Sequence, residues 1–343
     1  MVVIQMTTHR LINGNSEYMK EVESNSVHLI VTSPPYPMIS MWDDCFDDWM
    51  KDNHINDNYN YTSIFEKHHL CLDRVWQDCN RVLKDGCFIC INIGDATRTI
   101  NDNFQLYSNH TRITKWFMEH NYSVLPPIIW HKQTNSPNKF MGSGMYPAGA
   151  YVTLEHEYIL IFRKGRKREF SEKETIQRQK SAYFYEERNE WFSDIWNIKG
   201  TAQKLLNDQS NRDRNASYPF EIPYRLINMY SIQGDTILDP FCGLGTTNQA
   251  ALTLNRNSIG YDVDNKIIQT AKSELSNYQM KGHIHITNRL NKHRDWLNTN
   301  ECQYYNDIYN FAVKTKQEIN ICYPRPLKIN KNDGTIICDY SDK

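Results

Sequence analysis

The tetrapeptide Ser33-Pro34-Pro35-Tyr36 stands just after the apolar run at residues 27–31, where a predicted buried strand ends. Each proline has a fixed φ and no N–H to donate, and a residue before a proline is kept out of helical conformation. The backbone should therefore leave the strand extended and present the Ser33 hydroxyl and the carbonyls of Ser33 and Pro34 as acceptors. This arrangement suits a flat ring with an exocyclic amine, which could stack on Tyr36. A strand that ends in a plain proline-rich turn would have the same sequence.

A second stretch, Asp239-Pro240-Phe241-Cys242-Gly243-Leu244-Gly245-Thr246-Thr247, is predicted to end a buried strand, turn at the glycines and begin a helix. Glycines allow a ligand to approach the backbone closely, and a helix N-terminus favours a negative group. Residues 258–262 are then predicted to form a short strand that ends in Asp262. In Rossmann-like folds a carboxylate at this position holds the ribose hydroxyls. The turn matches Gly-x-Gly-x-x-Gly poorly. Its Asp-Pro-Phe start points instead to S-adenosylmethionine, whose amino-acid end is zwitterionic and carries no phosphate.

Together the two stretches resemble the amino-methyltransferases of DNA, which modify N4 of cytosine or N6 of adenine. In that family Ser/Asp/Asn-Pro-Pro-Tyr/Phe is the catalytic tetrad and Asp-Pro-Phe-x-Gly-x-Gly-Thr is the cofactor loop. The tetrad comes first in this chain, as in the family's β arrangement, and the resemblance covers roughly residues 8–285. Five further segments match in order, at residues 81–86, 87–95, 128–132, 155–165 and 218–223.

The resemblance implies that Ser33, Pro34, Pro35 and Tyr36 act on the amine. It implies S-adenosylmethionine as methyl donor, S-adenosylhomocysteine as product and no metal. The target base in double-stranded DNA must be flipped out, because its amine is inaccessible in a stacked duplex. The residues assigned to the cofactor are Asp239, Pro240, Phe241, Gly243, Gly245, Thr246, Thr247, Asp262, Thr32, Asn15 and Phe220. Asn15 stands where the family usually carries an acid, so it keeps hydrogen bonding but not the charge.

The first residue of the tetrad guides the choice of base. Serine resembles the N4-cytosine enzymes, whereas aspartate predominates in N6-adenine enzymes, so N4-cytosine methylation is expected and N6-adenine methylation is the alternative. Methylation of RNA or of a protein amide, and a non-catalytic DNA-binding relic, are further alternatives. The intact tetrad and cofactor loop argue against the relic. Methylation at cytosine C5 would need a thiolate after a proline, and the chain has no Pro-Cys. A restriction–modification role beside a cognate endonuclease follows only from what such enzymes commonly do.

Residues 163–215 are basic in a chain whose net charge is −1, with thirteen Lys or Arg against nine Asp or Glu. Aromatic residues are interleaved with them. Lys and Arg contact phosphates, and Gln, Asn and Arg can read base edges. A solvated insertion with a small aromatic core would have a similar composition. In β-arranged methyltransferases, however, the target-recognition region has this position, which favours DNA contacts. The residues assigned to DNA are Arg166, Lys167, Arg168, Arg178 and Lys180.

The elements that position these residues indicate a doubly wound, mostly parallel α/β sheet with a small inserted DNA-recognition region. This is the Rossmann-like fold of S-adenosylmethionine-dependent methyltransferases. We expect a catalytic half at 1–165, a recognition region at 166–215, a cofactor half at 216–285 and an extension at 286–343. Strands are predicted at 27–31, 87–93, 127–130, 156–162, 236–239 and 258–262. Helices are predicted near 18–22, 65–83, 113–118 and 218–230, with a final hairpin turning at 332–334.

Two stretches are predicted to be loops. Residues 37–60 are rich in Asn and Asp without an apolar period, and we expect them to close over the cofactor and target base; a plain surface excursion is the alternative. Residues 133–153 are expected to lie near the DNA. The nine cysteines are scattered, and Cys87 and Cys90 belong to an apolar strand, so no metal site is expected. With no apolar run near 18 residues and no signal-peptide pattern, a soluble cytoplasmic protein that does not contact membranes is expected.

Overall fold

The computed structural model describes residues 5–54, 63–132, 141–142, 146–200, 218–332 and 334–341. Its helices are α1 (Asp43–Asp52), α2 (Ile64–Val82), α3 (Asn109–Glu119), α4 (Glu172–Lys180), α5 (Tyr185–Trp191), α6 (Glu221–Tyr230), α7 (Thr246–Thr253), α8 (Asn265–Ser276) and α9 (Gln279–Leu297).

The strands in the same ranges are β1 (Gln5–Asn13), β2 (Val27–Thr32), β3 (Leu83–Ile93), β4 (Ala96–Ile100), β5 (Asn103–Tyr107), β6 (Tyr122–His131), β7 (Met141–Gly142), β8 (Ala150–Tyr151), β9 (His156–Lys164), β10 (Ile195–Asn197), β11 (Thr236–Asp239), β12 (Asn257–Asp262), β13 (Tyr304–Asn306), β14 (Phe311–Val313), β15 (Arg325–Asn332) and β16 (Thr335–Ser341).

Ten strands form one sheet in the order β10-β6-β9-β3-β2-β11-β12-β1-β16-β15. The central neighbours β3, β2, β11, β12 and β1 are all parallel, whereas β9 and β16 run the other way. The predicted mostly parallel sheet is confirmed. We call the edge where β2, β3, β11 and β12 end the carboxyl edge, and the opposite edge the amino edge. In open sheets of this kind, ligands bind at the carboxyl edge.

Strand β2 lies in the middle of the sheet and is buried on both faces. Ile30 belongs to an apolar cluster with α1, α2 and α3 on one face, while Leu29 and Val31 belong to a cluster with α6, α7 and α9 on the other. Successive side chains of a strand point to opposite faces, so a continuous apolar run is what a doubly covered parallel strand requires. Helices thus cover both faces, and the tetrad leaves the sheet from its best-packed strand.

The predicted short helix near residues 18–22 is wrong. The chain makes turns there instead, and the backbone N of Met19 donates to Asp78 Oδ2 on α2 at 2.7 Å. Met19 and Val22 are buried all the same, so their apolar character was correctly interpreted as a core contact.

The described part of the predicted loop, residues 37–54, is mostly helical and not a loop. A 3₁₀ turn at Ser40–Trp42 leads directly into α1, whose Phe46 and Met50 are buried at helical spacing. The remainder of the predicted loop, residues 55–60, lies outside the described residues, as do most of residues 133–145.

The C-terminal residues are part of the main sheet. The predicted hairpin exists as β15 and β16, and β16 pairs with β1 in antiparallel register, for example Met6 with Asp339. The expected boundary between residues 285 and 286 lies inside α9. Residues 286–343 are therefore not a separate extension: their hairpin completes one end of the sheet. No helix in the described part of the chain is long and apolar enough to cross a membrane.

The contribution of the C-terminal hairpin can be measured at Tyr340, which is 1% exposed. Its hydroxyl donates to the carbonyl of Leu252 at 2.6 Å and lies 2.9 Å from Thr7 Oγ1. Because Tyr340→Phe removes a buried hydrogen bond, we expect the free energy of unfolding to fall by roughly 1–2 kcal/mol. Urea unfolding checks this. Tyr304→Phe, at a 39% exposed position, is the control and should change it by less than about 0.5 kcal/mol. Equal changes in both variants would contradict the account.

Candidate active site

Asp239 joins the tetrad strand to the cofactor loop. It ends β11 beside β2, and its Oδ1 accepts hydrogen bonds from Thr32 Oγ1 at 2.7 Å and from the backbone N of Phe241 at 3.1 Å. Its Oδ2 accepts from Thr247 Oγ1 at 2.6 Å and from the Tyr218 hydroxyl at 3.2 Å. The carboxyl group is 2% exposed, and burial raises its pKa to about 6. Three chain segments are thus fixed to one side chain.

The cofactor loop turns where the sequence places its glycines. Gly243 and Gly245 have φ values of +50° and +78°, and Gly245 is the N-cap of α7. The loop is held against the end of β12, because the backbone N of Gly243 donates to Asp262 Oδ2 at 3.1 Å. The other oxygen of Asp262 accepts from the backbone N of Asp264 at 2.9 Å. Asp262 is therefore oriented beside the loop, as the Rossmann-like pattern predicts.

A cavity of about 390 Å³ opens between the tetrad and this loop at the carboxyl edge. Most of the residues assigned from the sequence to the amine or the cofactor line it: Asn15, Ser33, Pro34, Pro35, Asp239, Pro240, Phe241, Gly243, Thr246 and Asp262. Thr32 and Thr247 are buried and do not line the cavity, but their hydroxyls donate to the Asp239 carboxylate, which does. Gly245 does not line the cavity, but its positive φ allows the turn before α7.

The assignment of Phe220 to the cofactor needs correction. Its ring stacks on His285 at 4.1 Å between centroids and packs among helices, away from the cavity lining. Tyr218, two residues earlier, lines the cavity instead and is bonded to Asp239 and Thr247. The matched segment at 218–223 was a correct signal, but its motif could not say which aromatic residue turns inward.

Helix α1 forms a wall of the cavity. It belongs to residues 37–60, which the sequence analysis expected to close over the cofactor, but as a loop and not as a helix. Asp44, Asp48 and Asp52 recur every four residues on one face, so all three reach the cavity, together with Trp49 of the same helix. The indole N–H of Trp49 donates to Glu17, which ties the helix to the turn after β1. The apolar spacing of Phe46 and Met50 was the available signal. The wall makes the cavity rich in carboxylates and therefore attractive to a cation.

The tetrad is connected to a second group of polar residues. The Tyr36 hydroxyl lies 3.1 Å from Ser33 Oγ and donates to Glu157 Oε2 at 2.9 Å. Asn92 Nδ2 donates to the Tyr36 hydroxyl and to Glu157 Oε2, each at 2.7 Å. Lys132 Nζ donates to the other oxygen of Glu157. None of Asn92, Lys132 and Glu157 was singled out from the sequence, although all three stand at strand ends on the carboxyl edge.

Tyr36 is more enclosed than the sequence analysis expected. Its side chain is 8% exposed, and a Cβ at Gly94 would lie 3.0 Å from the Tyr36 ring. Burial, with the nearby Glu157 carboxylate, raises the pKa of Tyr36 well above its usual value, so the hydroxyl stays protonated. Tyr36 does not line the cavity. In this conformation its hydroxyl contacts Ser33 and Glu157. That its ring stacks on a base stays a prediction.

The five basic residues assigned to DNA do not lie at the site. Strand β9 is antiparallel to β3, so the chain leaves it at the amino edge. There the Arg168 guanidinium donates to Asp235 at 2.7 Å and to Glu174 at 2.9 Å. A side chain at Gly86, near the start of β3, would meet the backbone of Arg166 and Arg168, with Lys167 between them.

Helix α4 lies at the amino edge as well. The Arg178 guanidinium stands 4.7 Å from the Phe170 ring, and the Lys180 carbonyl accepts from Gln233, just before β11. The DNA role expected for Arg166, Lys167, Arg168, Arg178 and Lys180 therefore stays a prediction, and these residues lie at the edge opposite the tetrad. The charge count was right, but it carried no information on which edge the segment occupies.

The inserted region returns to the carboxyl edge with β10, which pairs in parallel with β6. Asn197 Oδ1 lies 3.0 Å from His131 Nδ1, beside Lys132 and followed by the exposed Lys199. This part of the region stands near the tetrad. Across the described ranges, no group of three or more His, Cys, Asp or Glu side chains is placed to hold a metal ion.

The raised pKa of Asp239 predicts how the free energy of unfolding changes with pH. An aspartate whose pKa is about 6 when folded and about 4 when unfolded destabilises the folded state once the pH exceeds about 4. The penalty grows as the pH rises to the folded pKa and is constant above it. Asp239→Asn abolishes the titration. The unfolding free energy of the wild type minus that of the variant should therefore fall by up to about 3 kcal/mol between pH 4 and pH 7. Urea unfolding at each pH measures it; a flat or rising difference would contradict the prediction.

Comparison with known proteins agrees with this geometry. The family model described as DNA methylase (N6_N4_Mtase) matches residues 27–273. A Type II methyltransferase of Methanothermobacter thermautotrophicus, M.MthZI, is 47% identical over 95% of this chain and 94% of its own length. M.MjaI of Methanocaldococcus jannaschii, also a Type II methyltransferase, is 49% identical over 78% of this chain and 91% of its own length.

Solved structures share the fold. A putative DNA modification methylase of Thermus thermophilus, complexed with S-adenosyl-L-methionine, aligns with a TM-score of 0.60 and 30% identity, over 79% of this chain and 94% of its own. PvuII DNA methyltransferase aligns with a TM-score of 0.54 at 15% identity, over 77% and 85% of the two chains, which supports the fold alone. The resemblance found in the tetrad and the cofactor loop is confirmed: the chain belongs to the DNA methylase family of N6- and N4-amino-methyltransferases.

Proposed function

We propose that this chain transfers a methyl group from S-adenosylmethionine to the exocyclic N4 amine of a flipped-out cytosine in double-stranded DNA. The observation that carries the choice of cytosine is Ser33, the first residue of the tetrad, which lines the cavity beside Pro34. The Type II names of two relatives that are 47% and 49% identical support a role as the modification enzyme of a restriction–modification system. Such a role implies a cognate restriction endonuclease as partner.

The cavity fits the methyl donor in size and charge. Small-molecule sites commonly have volumes of about 300–1,000 Å³ with a few polar groups that fix orientation, and this one is about 390 Å³. Asp262 would hold the ribose hydroxyls, and the aromatic rings of Phe241 and Trp49, which both line the cavity, would give the adenine an apolar contact. The acidic face of α1 favours a ligand that carries a positive sulfur. When bound, S-adenosylmethionine supplies an electrophilic methyl group.

The chain's own task is to prepare the amine. The lone pair of cytosine N4 is delocalised into the ring, so the nitrogen is a poor nucleophile. If its two N–H groups donate to Ser33 Oγ and to the Pro34 carbonyl, the nitrogen is favoured in a more pyramidal geometry that frees the lone pair. The rigid prolines hold both acceptors in place, and this alignment accounts for much of the rate. As the new N–C bond forms, the S–CH3 bond of the donor would break and S-adenosylhomocysteine would leave. The methylated amine would give up one proton to water, and no covalent link to the enzyme is needed.

DNA would approach the carboxyl edge. The amine of a stacked base is out of reach, so the target base has to leave the duplex and enter the cavity. Basic and polar residues in the described part of this edge include the partly exposed His131 and Lys132 and the exposed Asn197 and Lys199. Lys contacts phosphates, whereas Asn and His can meet base edges. We therefore place the DNA contacts on these residues rather than on α4.

Mass spectrometry of nucleosides tests the proposed function. Duplex DNA is incubated with the protein and methyl-labelled S-adenosylmethionine, then digested. Labelled N4-methylcytosine is expected, and Ser33→Ala should lower its rate of formation by about 100-fold because one acceptor of the amine is lost. Ser193→Ala, at an exposed position before β10, is the control and should match the wild type.

Other products would be equally informative. Labelled N6-methyladenine would contradict the choice of base while leaving the family assignment intact. Label in RNA or protein but in no DNA base would contradict DNA as the substrate.

A further inference from the structure

Glu157 reaches the tetrad from a strand that carries no part of it. Strand β9 runs against its neighbours β3 and β6, so its first residues stand at the carboxyl edge where the parallel strands end. The Glu157 side chain is 11% exposed, and three polar groups meet it: the Tyr36 hydroxyl, Asn92 Nδ2 and Lys132 Nζ. A buried carboxylate with three donors is a strong fixed feature beside the amine-binding residues.

The carboxylate determines the direction of every hydrogen bond in this chain of contacts. An ionised Glu157 can only accept, so the single hydroxyl hydrogen of Tyr36 has to be donated to it. The lone pairs of the Tyr36 oxygen then accept from Asn92 Nδ2 at 2.7 Å and from the Ser33 hydroxyl at 3.1 Å. The Ser33 hydrogen therefore points to Tyr36. Asn92 Nδ2 donates to one Ser33 lone pair at 3.5 Å, and the other is left for a donor in the cavity.

We propose that Glu157 is a positioning residue for methyl transfer: through Tyr36 it keeps Ser33 Oγ an acceptor for the target amine. The inference rests on the proposed function, since it concerns how Ser33 meets an amine. A serine hydroxyl alone can donate or accept, and one that donated toward the amine would oppose its N–H groups. Glu157 removes that freedom without touching the substrate.

Lys132 completes the device. Its ammonium group lies against Glu157 Oε1 while Tyr36 and Asn92 lie against Oε2, so the two oxygens have different neighbours. In Glu157→Gln the amide oxygen should turn toward Lys132, because an NH2 group there would face a charged group that can only donate. On the other side Tyr36 can accept, and the Asn92 amide can turn to present its otherwise unpaired Oδ1. The NH2 group then faces Tyr36 and donates to it. Tyr36 in turn donates to Ser33, and the Ser33 hydroxyl points its hydrogen at the amine.

Single-turnover methyl transfer at saturating DNA and S-adenosylmethionine tests the inference. Glu157→Gln should slow the step by about 100-fold with unchanged cofactor affinity. Adding Lys132→Met should restore at least tenfold of that loss, since the amide can then turn its oxygen to Tyr36. Tyr36→Phe should be about as slow as Glu157→Gln, and Glu157→Gln should cost less than threefold in the Tyr36→Phe background. Glu155→Gln, two residues away and half-exposed, is the control.

Several outcomes would overturn the inference. A Glu157→Gln rate within threefold of wild type would do so alone, as would an equal cost of Glu157→Gln with and without the Tyr36 hydroxyl, which indicates a structural role. If Glu157→Gln does not fold, a Tyr36→Phe rate equal to wild type would overturn the inference without that variant. A wild-type chain that methylates no DNA would instead overturn the proposed function and this inference with it.

Discussion

Asp239 is buried where β11 meets β2, and its two oxygens accept hydrogen bonds from Thr32, Phe241, Thr247 and Tyr218. A buried carboxylate is stable only with such donors around it, so the tetrad strand, the cofactor loop and the start of α7 must stay together. The two stretches are about two hundred residues apart in the chain, and parallel pairing of β2 with β11 brings their ends to one edge of the sheet. The Asp239 side chain lines the cavity and holds the surrounding segments in place.

Charge is distributed in two parts around that floor. Carboxylates of α1, β11 and β12 line the cavity, which suits a cationic methyl donor, whereas His131, Lys132 and Lys199 stand outside it on the carboxyl edge, where a polyanion would approach. Glu157 lies between them, paired with Lys132 on one side and bonded to Tyr36 on the other. Glu157, on β9 of the sheet, thus accepts the hydroxyl hydrogen of Tyr36 in the tetrad. The cation paired with Glu157 is Lys132, which stands on the edge where we propose that DNA approaches.

Much of this site follows from local sequence, because Ser33-Pro34-Pro35-Tyr36 and the turn after Asp239 carry their own backbone geometry. The apolar runs of β2, β3 and β11 likewise specify a doubly covered sheet. What failed depended on distant contacts. Residues 18–22 form turns in which Met19 bonds to Asp78 of α2, and the antiparallel direction of β9 carries Arg168 to the amino edge. The helical form of α1 and the place of Glu157 beside the tetrad became visible only once pairing and packing were known.

The most direct test of the account is a crystal structure of the protein with duplex DNA and sinefungin, an analogue of S-adenosylmethionine that cannot donate a methyl group. The DNA contains the target sequence in unmethylated form, and that sequence is first identified by mapping the positions that the protein methylates. The account predicts a cytosine outside the duplex, with N4 within about 3.2 Å of both Ser33 Oγ and the Pro34 carbonyl, which is hydrogen-bond distance. It also predicts phosphates near Lys132 or Lys199. An extruded adenine would contradict the choice of base, and a target amine that contacts neither acceptor would contradict the mechanism itself.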